Sequence, residues 1–339
     1  MTGTSFSRNT WLNSLHMTTL TVSLLEAEGH ERDGILEGSG ITAADLVDLR
    51  RLVSPWQEQQ VFANAERLAA EPALGLRLGL RTRISAYGLL GYALLSAPTL
   101  GEALRIGLSY PVLLGTYFHL ALQVEGEVAW LVATGYSEDE ALRPFNTELC
   151  LGSMKVTCGD LLGQPLELLC AEFDYAGPPE REAAYAEGFA CGLRFGASRS
   201  AFGFPAAWLE RRLPLADPVT HREMLEQCRR QNVDLAARRA WLDKVRGILG
   251  ERLQSPPGLE ELARRLNCSS RSLRRHLQQQ QTSYQQLLDE LRFARAKELL
   301  QGGDMPIYRI AEELGFSETA SLRHAFQRWS GQPPSHFRA

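Results

Sequence analysis

Leu259-Glu-Glu-Leu-Ala-Arg-Arg-Leu266, Asn267-Cys-Ser269 and Ser270-Arg-Ser-Leu-Arg-Arg-His-Leu277 run on without a gap, and their pattern decides the C-terminal fold. In the first stretch Leu262, Ala263 and Leu266 fall on one face of a short helix. Ser269 stands where a side-chain oxygen caps a second helix starting at Ser270. That helix turns Leu273 and Leu277 inward, four residues apart, which leaves Ser270, Arg271, Arg274, Arg275 and Gln278 facing elsewhere. A short helix, a tight turn and a Ser-capped helix, with small Ala263 at the crossing, predict a helix-turn-helix over 260–281.

The pattern recurs over 307–330. Pro306 marks a helix start, where its missing N–H is harmless. Ile307, Ile310, Ala311 and Leu314 form an inner face, Gly315-Phe-Ser317 makes the turn, and Glu318–Trp329 gives a second helix with Leu322, Ala325 and Phe326 inward. Thr319, Ser321, Arg323, His324 and Arg328 are left on its other faces. Between the two pairs, 283–300 reads as one helix about 27 Å long, enough to hold them about one DNA turn apart. One such pair would suit any helical hairpin. Two copies, with small residues at matching places and a rigid spacer, argue for paired DNA-reading units.

Upstream the pattern changes. His221 to Arg239 is polar and helical, as a connecting segment would be, and beyond Trp241 only helical periodicity remains. A boundary is therefore expected near 235–245, dividing the chain into residues 1–235 and 236–339. Within the first part, Ser5–Glu28, Ile41–Arg51 and Trp56–Arg81 carry helical spacing, with Thr42 as an N-cap. Pro98 ends one helix and Thr99 caps the next. His119–Val124 and Glu127–Val132, joined at Glu125-Gly126, predict a hairpin. Arg143–Leu162 is helical; Glu167–Tyr175 and Gly192–Pro205 supply three short strands around a helical piece at Glu180–Glu187. The expected fold class is multidomain: an α+β N-terminal domain followed by an all-α DNA-binding domain with two helix-turn-helix units.

Composition sets limits. With 44% hydrophobic and 22% charged residues in 339, the bulk of the chain is expected to be globular rather than disordered. Residues 251–339 carry 13 Lys/Arg against 10 Asp/Glu, whereas the rest is net acidic, so the polyanion-binding surface is expected in the tail. The six cysteines form no C-x-x-C pair and read as reduced thiols. Nothing resembles a signal peptide, and the apolar runs Tyr87–Ala97 and Tyr110–Val124 are too short and interrupted to span a bilayer; a cytoplasmic protein is expected. There is no G-x-G-x-x-G after a strand, no Walker loop and no G-x-S-x-G. His16, His30 and His119 lack metal-ligand spacing. No catalytic set, metal or cofactor is therefore expected.

Three stretches make the C-terminal reading specific: Gly315-Phe-Ser-Glu318 followed by Phe326, Gly331-Gln-Pro-Pro-Ser-His-Phe-Arg338, and Arg292-Phe-Ala-Arg-Ala-Lys-Glu-Leu-Leu300 in the spacer. In these, residues 259–338 resemble the DNA-binding domain of the AraC/XylS family of bacterial transcriptional regulators. The resemblance places Arg271, Arg274 and Arg275 at the DNA-facing positions of the first recognition helix. It places Thr319, Ala320, Ser321, Arg323 and His324 at those of the second. Arginine suits the task, because its fork pairs with guanine O6/N7 or with phosphates. Three positions depart from the family: Gln281 stands where it often has glycine, Leu322 where it has an aromatic residue, and His324 where it has arginine. His276 and His336 are expected to pack or cap.

Leu74-Gly-Leu-Arg-Leu-Gly-Leu80, Gly88–Leu104 and Leu193-Arg-Phe-Gly196 are similar to the N-terminal domain of one subgroup of this family, which includes regulators of ornithine utilisation. The resemblance implies a domain that senses a small metabolite and pairs subunits, within an activator acting on double-stranded promoter DNA with RNA polymerase to control catabolic genes. Tyr117, Trp130, Arg143, Asn146 and Glu148 are the polar and aromatic groups expected to line an effector pocket. One alternative is a DNA-repair alkyl-transfer protein with the same type of DNA-binding unit. That chemistry needs an activated cysteine, commonly in Pro-Cys-His-Arg, a context none of the six has.

Overall fold

The computed structural model describes residues 13–48, 51–136, 138–177, 179–303, 305–330 and 332–338. Along the chain run β1 (Asn13–Ser14), α1 (His16–Ala27), α2 (Arg32–Leu36), β2 (Leu52–Val53), α3 (Pro55–Ala69), α4 (Leu74–Arg81), α5 (Gly88–Leu95), α6 (Leu100–Ser109) and α7 (Pro111–Leu114). Then come β3 (His119–Glu125), β4 (Val128–Thr134), α8 (Arg143–Leu162), β5 (Cys170–Glu172), α9 (Glu182–Phe189), β6 (Gly192–Arg194), β7 (Ser200–Pro205) and α10 (Pro218–Gly250). The chain closes with α11 (Leu259–Arg265), α12 (Ser270–Gln279), α13 (Tyr284–Gln301), α14 (Ile307–Glu313) and α15 (Thr319–Ser330). It is an α/β N-terminal domain followed by a helical domain with two helix-turn-helix units. By packing, residues 16–30 and 65–235 form one compact unit; residues 31–64 and 236 onward, with the described residues before 16, form the other.

In the α/β unit, five strands make one sheet in the order β3-β4-β7-β5-β6, antiparallel except for the β5–β6 pair. Gly126, at φ +62°, makes the β3–β4 turn, so the hairpin forms where the period-2 pattern placed it. Strands β4 and β7 lie inside the sheet and are buried almost throughout, while β3 at the edge is largely exposed. That contrast explains why β4 and β7 read as apolar runs rather than as alternations. Helix α8 packs on α4 across a seam of small residues. An added Cβ at Gly79 would stand 2.7 Å from the Leu149 carbonyl oxygen, and Gly152 of α8 lies in contact with Gly79. The Leu-Gly-Leu-Arg-Leu-Gly-Leu motif is thus a close-approach face.

In the other unit, Leu242, Val245 and Leu249 of α10, Leu273 and Leu277 of α12, Leu287 and Phe293 of α13 and Phe326 of α15 share one apolar core. The aromatic rings of Phe293, Phe326, Trp329 and Phe337 cluster at 5.1–6.2 Å between the centroids that meet Phe293. Phe337 reaches them from a short 3-10 turn over Pro334–Phe337, which gives the C-terminal signature a packing role. Gly331 of that signature lies outside the described residues.

Three sequence expectations are corrected. Helical spacing over Ile41–Arg51 yields only a 3-10 turn, Asp45–Val47, followed by β2; residues 49 and 50 lie outside the described residues. The Thr42 cap does form, since its hydroxyl accepts the Asp45 N–H at 3.3 Å and its own N–H donates to the Asp45 carboxylate at 2.8 Å. It caps a single turn because the next residues pair with β1. The helix read over Trp56–Arg81 is two helices, broken where Ala70 and Ala73 adopt positive φ. The Ser5–Glu28 helix starts only at His16, because Asn13 and Ser14 are taken into β1; residues 5–12 lie outside the described residues.

Candidate nucleic-acid interface

The two helix pairs turn by the same device. In the first, Asn267 adopts φ +55° and the Cys268 N–H donates to the Ala263 carbonyl at 2.9 Å. In the second, Gly315 adopts φ +75° and the Phe316 N–H donates to the Ala311 carbonyl at the same 2.9 Å. This is the left-handed C-terminal stop, for which Gly and Asn are the residues with least steric cost. Gly315 is also irreplaceable for space, since an added Cβ would strike the Gln254 carbonyl.

Helix α12 begins as the sequence implied. The Ser269 hydroxyl accepts the Ser272 N–H at 3.1 Å, worth about 1 kcal/mol as an N-cap. Leu273 and Leu277 are buried, Ser270 is half-buried, and Arg271, Arg274, Arg275 and Gln278 are exposed. The His276 ring does not join them; it stacks on Trp241 with centroids 3.9 Å apart. On α15, Leu322, Ala325, Phe326 and Trp329 are buried, Thr319 is half-buried, and Ala320, Ser321, Arg323, His324 and Arg328 are exposed. His336 is exposed as well, with its ring against Phe337.

Several arginines nearby are paired with carboxylates, although among the described residues Arg252 and Arg338 are not. Arg264 pairs with Glu261, Arg265 with Glu251 at 2.5 Å, Arg295 with Glu313 at 2.6 Å and Arg309 with Glu312 at 3.2 Å. Arg328 is held by Asp289 at 3.0 Å and so differs from the other α15 residues expected at DNA. Arg271, Arg274, Arg275 and Arg323 have no carboxylate partner among the described residues. Their positive charge is left available for phosphate or guanine contacts.

Residues that the sequence reading did not single out support α12. Arg238 of α10 donates through Nε to the Gln280 side-chain oxygen at 2.7 Å, and Trp241, one turn on, carries the His276 stack. Both lie at the end of what reads as a polar connector; a tryptophan in such a stretch was the available signal.

The five residues expected at an effector pocket all lie in the α/β unit. Tyr117 is buried. Trp130 lies under the Arg199 guanidinium at 4.5 Å. Arg143 pairs with Asp174 and Glu140. The Asn146 amide donates to the Tyr136 hydroxyl and the Leu142 carbonyl, each at 3.0 Å. Glu148 is fully buried: one oxygen accepts Arg181 and the Tyr185 hydroxyl, both at 2.7 Å, and the other accepts the Leu76 N–H at the start of α4 at 3.3 Å. Burial raises its carboxyl above the ordinary range, against the pull of Arg181. Glu66 reaches Arg181 at 3.6 Å, and its carboxyl is raised to about 7 by burial, with Glu148 adding to the rise and Arg181 opposing it.

Five of the six cysteines offer little to alkyl transfer. Burial pushes the Cys150 and Cys158 thiols up to about 12 and Cys191 to about 11, and raises Cys170 and Cys228 too. Thiolate nucleophiles need the opposite shift. No group of three or more His, Cys, Asp or Glu is placed to hold a metal, and no helix is long and apolar enough to cross a membrane, among the described residues.

Two helix-turn-helix units on a helical domain, joined to an α/β domain, define a DNA-binding transcriptional regulator. Residues 29–213 match the family described as the arabinose-binding domain of AraC transcription regulator, N-terminal, and 262–339 match a helix-turn-helix domain family. The chain belongs to the AraC family of transcription regulators. It is 37% identical over 317 residues to the ornithine utilization regulator of Pseudomonas aeruginosa, covering 94% of this chain and 93% of that protein. It is 29% identical to the HTH-type transcriptional regulator VqsM of the same species, covering 78% of this chain and 83% of that one. Among solved structures, the transcriptional regulator CdpR from Pseudomonas aeruginosa is similar at 26% identity and a TM-score of 0.42, covering 82% of this chain and 90% of that chain.

Proposed function

We propose that this protein is an effector-gated transcription factor that reads double-stranded promoter DNA through α12 and α15. The observation that carries the reading is the set of uncompensated arginines, Arg271, Arg274, Arg275 and Arg323, on two recognition helices whose neighbours' arginines are mostly neutralised. Arg271, Arg274 and Arg275, with Ser270 and Gln278, engage one major-groove segment. Thr319, Ala320, Ser321, Arg323 and His324, flanked by Arg328, engage a second about one helical turn away. The α/β domain binds a small metabolite, and the relative named for ornithine utilisation makes an amino acid such as ornithine the first to test. The protein works in the cytoplasm as a homodimer, with RNA polymerase as its partner at catabolic promoters.

Footprinting of the whole protein on its promoter tests the DNA reading. Two protected patches about 10 bp apart per protomer are expected, with affinity falling steeply as salt rises because phosphate contacts release counterions. Salt-insensitive binding or a single patch would contradict it. A thermal-shift screen of amino acids tests the effector: a ligand at about 100 times its Kd adds about 2.7 kcal/mol. Absence of any shift with ornithine would remove that candidate.

A further inference from the structure

The turn that follows the first recognition helix is built around a residue in an unfavourable conformation. Gln281 adopts φ +57°, a region that glycine enters freely and other side chains rarely use. Its carbonyl accepts Arg51 Nη1 at 3.0 Å, and its side-chain Oε1 accepts the backbone N–H of Leu52 at 2.7 Å. Arg51 is mostly buried and is itself held by Asp45 at 3.3 Å, while Leu52 is paired into β2 opposite Ser14. From the other side, Arg238 donates to the side chain of Gln280, which is buried, and Trp241 stacks on His276. The C-terminal half of α12 is therefore gripped from two directions, while the face bearing Arg271, Arg274 and Arg275 is left open.

A glycine at position 281 would make the same turn at lower backbone cost. It would offer no side-chain acceptor to Leu52. The glutamine trades backbone ease for a fastening to residues 51–52, which lie within the region matching the arabinose-binding domain family rather than the helix-turn-helix family.

We infer that Gln281 is a positioning residue, through which residues 51–52 fix the first recognition helix and set the direction of its arginines. This rests on the reading of α12 as a DNA-contacting helix. Gln281→Gly removes the acceptor and relieves the turn; Gln281→Glu keeps an acceptor oxygen at the same reach and adds charge complementary to Arg51.

The test uses the full-length protein and two readouts. In hydrogen–deuterium exchange without DNA, Gln281→Gly should speed exchange about tenfold at the Leu52 amide and across 278–282, the size of one lost hydrogen bond, while α15 is unchanged. In footprinting, protection of the patch assigned to α12 should weaken several-fold and the α15 patch should persist. Gln281→Glu should restore both, and the Tm of Gln281→Gly should equal or exceed that of the parent. A turn-only role predicts slower exchange and an unchanged footprint in the glycine variant. Either result overturns the inference, as does a loss shared equally by both patches. If the parent protein gives no two-patch footprint, the DNA reading fails, and the exchange experiment still decides whether the fastening exists.

Discussion

Gly75 on α4 lies directly against the backbone carbonyl of Phe145 on α8, leaving no room for a Cβ between the two helices. Together with Gly79 and Gly152 it lets the helix backbones nearly touch, and this brings Glu148 to the Leu76 N–H in the first turn of α4. Gly79→Ala should cost about 1–3 kcal/mol, since the obstacle is backbone and cannot rotate away, and Gly75→Ala should cost more. Gly247, in the interior of α10 with open space around it, should behave oppositely, Ala there stabilising by about 0.5–1 kcal/mol. Urea titration of the three variants checks the order; an unchanged midpoint for Gly75→Ala would contradict the close approach.

Glu66 should make stability fall as pH rises through neutrality. Its folded-state value of about 7 lies above the ordinary 4.5, so the folded state binds its proton more tightly than the unfolded chain does. The contribution is complete below the unfolded value and is lost as pH climbs through about 7. Glu66→Gln should therefore flatten the dependence across this window and leave the protein more stable than the parent on its alkaline side. Parallel stability curves for parent and variant would show that burial does not govern this carboxyl.

Trp56 packs edge-on against Phe293, centroids 6.1 Å apart, although it lies far upstream of the helical domain. Trp56→Ala should lower the stability of the unit containing α11–α15 by about 3 kcal/mol, the lower end of the range for aromatic truncation because the indole is only partly buried. Trp56→Phe should recover most of the loss. Exchange protection in α13 and α15 reads the effect; unchanged protection in Trp56→Ala would mean that the contact adds nothing.

The two recognition helices should contribute unequally. Arg274→Ala should cost about 1–3 kcal/mol and relax preference at particular base pairs, as loss of a bidentate contact does. Ser321→Ala should cost well under that, because water readily replaces a lone hydroxyl contact. Binding to matched and single-base-substituted operators distinguishes them. Equal losses, or an Arg274→Ala loss uniform across sequences, would assign base reading differently.

Periodicity alone determined the helical domain. Leu262, Leu273 and Leu277, then Ile310, Leu322 and Phe326, recur at helical spacing around Asn267 and Gly315, and these features act within a few residues of one another. The β3–β4 hairpin and α8 were legible for the same reason. Which arginines stay unpaired was not, because Arg328 meets Asp289 and Arg265 meets Glu251 only once the helices are folded together. Local pattern also failed at Ile41–Arg51, where pairing of β2 with β1 overrode a helical spacing, and at Ala70–Ala73, where two positive φ values end a run that reads as continuous. The burial of Glu148 against Arg181, and the fastening of Gln281 to residues about 230 positions earlier, were settled by tertiary structure alone. Sequence spacing reports which residues share a face of one element. It carries no information on which distant donor will meet a buried acceptor, and such meetings decide what the end of α12 is fastened to.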